Sequence, residues 1–455
     1  MNRTVNILLV NGWSDDNKGD AAIVEGMIRL LREVVDEAGL DLRVSIVSSF
    51  PAEKKTLLYH YRHTVRAEGC VSVYGSLFPT VQPTINNKSW RRIYRVWLIV
   101  RSLLLLFLPR GLSKHLVSRE ERGTLRAFET ADLVISKGGH IFFSTGNIFS
   151  LLGLYRNAYP LILAKRLGKP TVIFAQSIGP IIGKLQEIFV RKVLSGAEWI
   201  FTREPLSLEL VKRILGPTHQ DGAGSRVYLT WDTAFSIDTE ELSSSVSNKL
   251  PTRFAALTVR PWYFPYHAGQ AKERYVRYLQ SIAATIQLVN RELGLPVVIV
   301  PQVVGPYPLE NDLLAIRDLA RLLNLVDADI VLLEEDFTAG QLKMLYGRAE
   351  LVIGTRFHSV ILALSSGTPA VAISYHGYKT KGIMAMLGLS DFVMEIENVD
   401  SDALWQRVYI LYEKRAGLRE ELRKKMHEIH DASVSAVRQM LQGLRILSAP
   451  STGEF

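Results

Sequence analysis

The most constraining stretch of this chain runs from Ala349 to Leu389, AELVIGTRFHSVILALSSGTPAVAISYHGYKTKGIMAMLGL. Its apolar run Leu351 to Ile353 stops at Gly354-Thr355, and Val360, Ile361 and Leu364 then recur at helical spacing. Gly367-Thr368-Pro369 turns the chain into a second apolar run, Ala370 to Ile373, which ends at Ser374-Tyr375-His376 with Lys379 and Lys381 just beyond. Strand, tight turn, helix and second strand make the unit of a parallel sheet. Both strand ends then lie on one rim, where open α/β sheets bind ligands.

That rim carries chemistry. The start of a helix leaves backbone N–H groups without partners, and the macrodipole adds partial positive charge, so the turn after Thr355 suits a phosphate or carboxylate. Arg356 offers a planar fork to such an anion, and His358 can give or take a proton near neutral pH. A lone Arg or His at a turn is usually a solvated cap. Their gathering with Lys379 on adjacent strand ends favours a site.

The rest of the chain repeats the alternation. Strand Ile7–Val10 is followed by a loop, Asn11 to Gly19, and Asp20 is placed to cap a helix whose Ile23, Met27, Leu30 and Val34 form one apolar face. Strands are expected at Arg43–Val47, Leu133–Ser136, Thr171–Ala175 and Trp199–Thr202. Ser236 to Pro251 is polar and Ser-rich and reads as a linker. A second series then begins at Ala255–Val259, with strands at Pro296–Pro301 and Ile330–Leu333 before the opening stretch, and helices from Asp402 to Leu447. The expected domains are 1–240 and 250–455, with a disordered tail from Ser448. No Walker A loop or G-x-G-x-x-G is present, which leaves an NTPase or dinucleotide enzyme little support.

At 47% hydrophobic and 22% charged residues, the chain has the composition of a folded protein. Its single cysteine, Cys70, forms no intrachain disulfide, and no Cys/His cluster has zinc spacing, so a reducing, cytoplasmic setting and no metal are expected. The net charge of +9 is local: Lys88 to Arg122 holds nine Lys/Arg against two Glu. That segment also holds Trp90, Tyr94, Trp97 and the apolar run Val96 to Leu108, interrupted by Arg101. So much aliphatic surface argues against a nucleic-acid groove. That thirteen-residue run, with its internal arginine, is too short to span a bilayer, and residues 90–112 suit peripheral contact with an anionic inner membrane face, with Arg91, Arg92, Arg95 and Arg101 toward head groups. A buried helix whose arginines pair or snorkel is the other reading.

The Gly354-Thr355-Arg356-x-His358 turn is preceded, in order, by Asn17-x-Gly19-Asp20, Lys137-Gly138-Gly139-His140, Gln176-Ser177-Ile178-Gly179-Pro180, Arg203-Glu204-x-x-Ser207 and Asp232-x-Ala234-Phe235. In these blocks the chain resembles the polysaccharide pyruvyl transferase family. The resemblance implies an α/β fold of two Rossmann-like domains facing a cleft, similar to the GT-B glycosyltransferases. It also implies transfer of a pyruvyl group from phosphoenolpyruvate, a co-substrate, to two hydroxyls of a sugar, giving a cyclic ketal in a cell-surface polysaccharide or its lipid-linked precursor. On that reading Arg356 and Arg203 clamp the donor with Thr355 and Lys379, and His358 is the general acid. Asn17 and Gly139 contact the acceptor, and Asp20 or His140 takes a hydroxyl proton. Two alternatives stay open: a GT-B glycosyltransferase using a nucleotide sugar, with Glu334 or Glu335 on the ribose, and a membrane-surface scaffold.

Overall fold

The computed structural model describes residues 3–66, 70–80, 87–216, 226–323, 328–375 and 377–447. His376 and the tail from Ser448, both named above, lie outside them. The chain forms two compact units. One comprises the chain up to Asp15, Ile23–Asp232 and the stretch from Ala432 onward; the other comprises Asp16–Ala22 and Thr233–Asp431.

The first unit is a parallel sheet of eight strands: β1 (Thr4–Gly12), β2 (Asp41–Ser48), β3 (Cys70–Tyr74), β4 (Leu133–Ser136), β5 (Gly139–Phe142), β6 (Thr171–Ile178), β7 (Trp199–Thr202) and β8 (Val227–Leu229). Their order is β3-β2-β1-β4-β6-β7-β8, with β5 beside β6. The first half of β6 pairs with β4 and the second half with β5. Between the halves, Ala175 sits at φ +51°. Strands β4 and β6 are buried along their whole length, as parallel strands covered by helices on both faces must be. On one face Leu98, Phe128, Tyr159, Val190, Leu194 and Ile214 form the core. On the other, Met27, Leu30 and Val34 of the helix Lys18–Glu37 meet Val437, Met440 and Leu441 of the long helix Ser401–Gly443.

The second unit has six parallel strands: β9 (Ala255–Thr258), β10 (Val297–Ile299), β11 (Ile330–Leu332), β12 (Leu351–Gly354), β13 (Ala370–Ser374) and β14 (Val393–Glu395), in the order β11-β10-β9-β12-β13-β14. This is the doubly wound order, and its direction reverses between β9 and β12. The crevice that such a reversal opens lies at the ends of those two strands.

Two expectations about boundaries change. The polar stretch Ser236–Pro251 is not a free linker, because the chain enters the second unit at Thr233. Ile237 and Val246 are buried, Lys343 Nζ donates to Ile237 O at 2.6 Å, and Thr338 Oγ1 donates to Glu240 at 2.7 Å. Two apolar anchors and these bonds dock a segment whose composition is otherwise that of a loop. In addition, Asn17 and Asp20 do not belong with the first unit. Asn17 bridges Val303, Lys18 N donates to Gln302 O at 3.2 Å, and Val304 N donates to Asp16 O at 2.8 Å. The buried Lys18 ammonium pairs with Asp336 at 2.6 Å. The loop's backbone groups must be satisfied, and the 302–304 segment supplies the partners.

The basic apolar helix Lys88–Phe107 packs one of its sides into the core. Leu98, Ser102, Leu105 and Leu106 are buried, and Arg101 is held inside by Glu121 at 2.9 Å and by Leu77 O at 2.6 Å. Arg101 is therefore not a head-group ligand. Among the described residues, no helix is long and apolar enough to cross a membrane.

Candidate functional site

In the second unit, three cations converge from the ends of three strands. β9 leads to Arg260, β12 to Arg356, and β13 through Tyr375 to Lys379, the first residue of the helix Lys379–Met386. The Arg260 guanidinium lies 3.9 Å from the centroid of the Tyr375 ring and 4.9 Å from that of Trp262. Lys379 Nζ donates to Tyr375 Oη at 3.4 Å. Arg356 is buried against Asp312, to which Nε and Nη2 donate at 2.8 and 2.7 Å, and Nη2 also donates to Glu310 O at 2.5 Å. One edge of the Arg356 fork is thus taken by Asp312, so the expected two-pronged grip on a ligand by this residue is not available. Its Nη1 makes no hydrogen bond among the described residues.

Arg260 is the better fork. Its Nε donates to Pro261 O at 3.2 Å, whereas Nη1 and Nη2 have no hydrogen-bond partner among the described residues. Burial, and then the neighbouring Arg356, lowers its pKa, as expected for a cation held in a site already positive. The apolar run Ala255–Val259 predicts a strand that stops just short of this residue. The signal available was an Arg followed by Pro directly after a buried strand.

Two tyrosines report the local field. Burial raises Tyr278 to about 12; its hydroxyl bonds Thr355 Oγ1 at 3.0 Å and accepts from Arg260 N at 3.4 Å. Thr355 is wholly buried and its N–H donates to Thr258 O, so it braces the turn rather than contacting a ligand. Burial alone would also raise Tyr375, but Lys379, Arg260 and Arg356 outweigh it and bring its pKa down to about 7. Ultraviolet titration should therefore show one tyrosinate forming near pH 7 that is absent in Tyr375→Phe. Because the folded-state pKa is lowered from about 10, the phenolate's contribution to stability is present above that value and lost as pH falls through about 7. An anion bound among the same cations opposes ionisation. Sulfate, whose charge is constant here, should bind more weakly as pH rises through about 7, and this dependence should vanish in Tyr375→Phe.

His358 stands in the first turn of the helix Phe357–Ser365, half-buried, and touches Gly19. A Cβ at Gly19 would lie 2.2 Å from His358 Nδ1 and 2.7 Å from its Cβ, so only glycine fits. Asn17 accepts from Gly19 N at 3.1 Å and Asp20 N at 3.3 Å. Asn17 is the cap that the sequence reading gave to Asp20, and Asp20 is left in the first turn. The structure thus brings Asn17, Gly19 and Asp20 to the same unit as His358.

The first unit has its own strand-end cluster. His140 Nε2 donates to Gly179 O at 2.6 Å, with its ring 5.1 Å from Phe143. Arg203 is 1% exposed and fully engaged: Nε donates to Ser177 Oγ at 2.9 Å, Nη2 to Gly139 O at 3.0 Å, and Nη1 pairs with buried Asp232. It joins three strand ends and has no edge left for a donor. Glu204 caps the helix Pro205–Leu215, accepting from Ser207 N at 3.0 Å. Arg203 and Glu204 thus hold the strand ends together. Arg203→Met should cost about 3–5 kcal/mol in urea unfolding by taking from buried Asp232 its pairing with this guanidinium, and Asp232→Leu in the same chain should recover part of it.

Glu335, considered above for a ribose, pairs with Lys249 after the edge strand β11, three strands from β12. Among the described residues, no three His, Cys, Asp or Glu side chains are grouped to hold a metal.

The sequence model of the polysaccharide pyruvyl transferase family matches residues 17–377. The chain is 27% identical over 419 residues to the amylovoran biosynthesis protein AmsJ of Erwinia amylovora, covering 88% of this chain and 91% of that one. Among solved structures it resembles the MnaA–UDP structure from S. aureus, at 11% identity and a TM-score of 0.52, covering 99% and 98% of the two chains. It also resembles UGT73P12 of Glycyrrhiza uralensis, at 9% identity and a TM-score of 0.55, covering 98% and 96%. These structural likenesses concern the fold, which is GT-B-like. With the family's model spanning most of its length, the chain belongs to the polysaccharide pyruvyl transferase family.

Proposed function

We propose that this protein transfers a pyruvyl group from phosphoenolpyruvate to two hydroxyls of one sugar, forming a cyclic ketal and releasing phosphate. The observation that carries the reading is the convergence of Arg260, Arg356 and Lys379 on Tyr375, with Asp312 tied to Arg356. Such a site suits a small donor bearing both a phosphate and a carboxylate. Arg260 takes one anionic group with its outer fork, and Arg356 Nη1 and Lys379 take the other. The first N–H groups of the helix Phe357–Ser365 add a further donor set.

His358 gives a proton to the donor's methylene carbon, making it a methyl and leaving the central carbon open to attack. One sugar hydroxyl bonds that carbon and loses its proton; the bond to the phosphate oxygen then breaks, and phosphate leaves with the electron pair. The second hydroxyl closes the ketal and loses its proton. The two hydroxyl protons balance the one gained by the methyl and the one carried off by phosphate. Asp20 is assigned as the base for a hydroxyl, next in the chain to Gly19, which touches His358, and Asn17 as an acceptor contact. Gly139 and His140 are candidates for contact with a sugar in the first unit. No step calls for a metal or another cofactor.

Incubation with phosphoenolpyruvate and a panel of free and lipid-linked glycosides should release phosphate only when an acceptor is present. Consumption of a nucleotide sugar, with no phosphate from phosphoenolpyruvate, would overturn the proposal.

A further inference from the structure

Three helices lie side by side over one face of the first unit's sheet: Lys88–Phe107, Ile148–Arg166 and Lys184–Gly196. The first two are joined by a 2.9 Å hydrogen bond between the Ser102 and Tyr155 hydroxyls, and by Arg166 Nε donating to Leu106 O at 2.8 Å. The last two are joined where Gln186 Nε2 donates to Asn147 O at 3.0 Å. Their outward sides should be polar if they face only water.

They are not. Trp90, Ile93, Trp97, Val100, Leu103 and Phe107 recur every three or four residues on the exposed side of the first helix, with Trp90 64% and Phe107 78% exposed. Phe149, at 79%, and Ile148 begin the second helix; Leu185, at 66%, and Ile188 continue the surface on the third. Scattered exposed apolar residues need no explanation, but a stripe that spans adjoining helices marks an interaction face. Its opposite side is already used in the core, so packing within this unit does not account for it.

The charge around the stripe selects the partner. Arg92, Arg95 and Lys184 are exposed among these residues. The two acidic residues of the 88–122 segment are Glu120 and Glu121, and Glu121 is paired inward with Arg101. On the third helix Glu187 lies 3.6 Å from Arg191. A second copy of this chain would bring like charges together, whereas an anionic bilayer offers both an acyl boundary for the aromatic and aliphatic groups and head groups for the cations. We infer that this face docks the protein peripherally on an anionic membrane. The inference stands apart from the donor chemistry.

Flotation with phosphatidylcholine vesicles, with and without phosphatidylglycerol, tests it. The full chain should float with the anionic vesicles at low salt and be released as salt rises. The triple change Arg92→Glu, Arg95→Glu and Lys184→Glu should lower partitioning on the order of a hundredfold. The triple change Ile93→Ser, Phe107→Ser and Phe149→Ser should also release the protein, with an unchanged circular dichroism spectrum in both variants. Phosphate release with a water-soluble glycoside, measured on the same samples, reports separately on the transferase reading. Failure to float with anionic vesicles at low salt would overturn the inference. So would flotation unaffected by either variant, or a dimer in solution that the apolar changes dissociate in place of vesicle binding.

Discussion

Replacing His358 by glutamine is expected to slow turnover by about 10²–10⁴-fold, the range for a lost general acid, while donor binding is retained. Glutamine keeps a polar group of similar reach, so Asn17, Asp312 and the strand ends have no cause to move. Calorimetry should show near-normal affinity for phosphoenolpyruvate, with the loss confined to kcat. Gly19→Ala reaches the same group from the other side. Its Cβ would fall 2.2 Å from His358 Nδ1, so either the imidazole or the start of the helix Lys18–Glu37 must shift. A comparable fall in kcat is expected, together with some loss of stability, because the His358 Cβ at 2.7 Å cannot swing away as the ring can. Full activity in Gly19→Ala would mean that the position of this imidazole does not matter to the reaction.

Arg260→Ala carries the second large effect. This guanidinium is buried, stacked on two aromatic rings, and has its outer fork open. A charge-assisted contact is worth about 1.5–3 kcal/mol, so donor affinity should fall roughly 10- to 100-fold. Arg260→Lys should recover little, because an ammonium neither stacks on Tyr375 nor offers two parallel donors. Loss of Arg260 also removes one of the cations that lower Tyr375, so the tyrosinate midpoint should rise above about 7. Arg356→Lys is a less specific probe, since it also strips the buried Asp312 of its partner and so mixes folding with binding.

Much of the scaffold was legible because buried parallel strands are short apolar runs, and the Gly354-Thr355 turn announces the end of one. Strands β3, β5, β8 and β14 were not expected. Gly139–Phe142 reads as a glycine turn, and it becomes a strand only because the second half of β6 lies free beside it. The site was legible in part. His358, Arg356 and Lys379 stand out as candidates from their place after strands, but their commitments were not visible. Nothing local tells that Asp312, 44 residues from Arg356 in the chain, takes one edge of its fork. Arg203 looked like a clamp because its charge was visible and its partner Asp232 was not. Tyr375 was read as part of a strand end; its altered ionisation arises from three cations that meet only in the fold. The sequence placed Asn17 to Asp20 near β1, yet the loop's backbone bonds carry it to the second unit.

The central claim is that the donor's methylene carbon takes a proton while its central carbon takes two sugar oxygens. The most direct test runs the reaction in heavy water with phosphoenolpyruvate and an accepted glycoside, followed by carbon and proton NMR of the product. The account predicts a ketal carbon bonded to two oxygens of one sugar and a methyl group carrying a single deuterium. Its formation should slow with His358→Gln in step with phosphate release. A product that retains an intact enol ether, or a new glycosidic bond with no pyruvyl carbon, would contradict it.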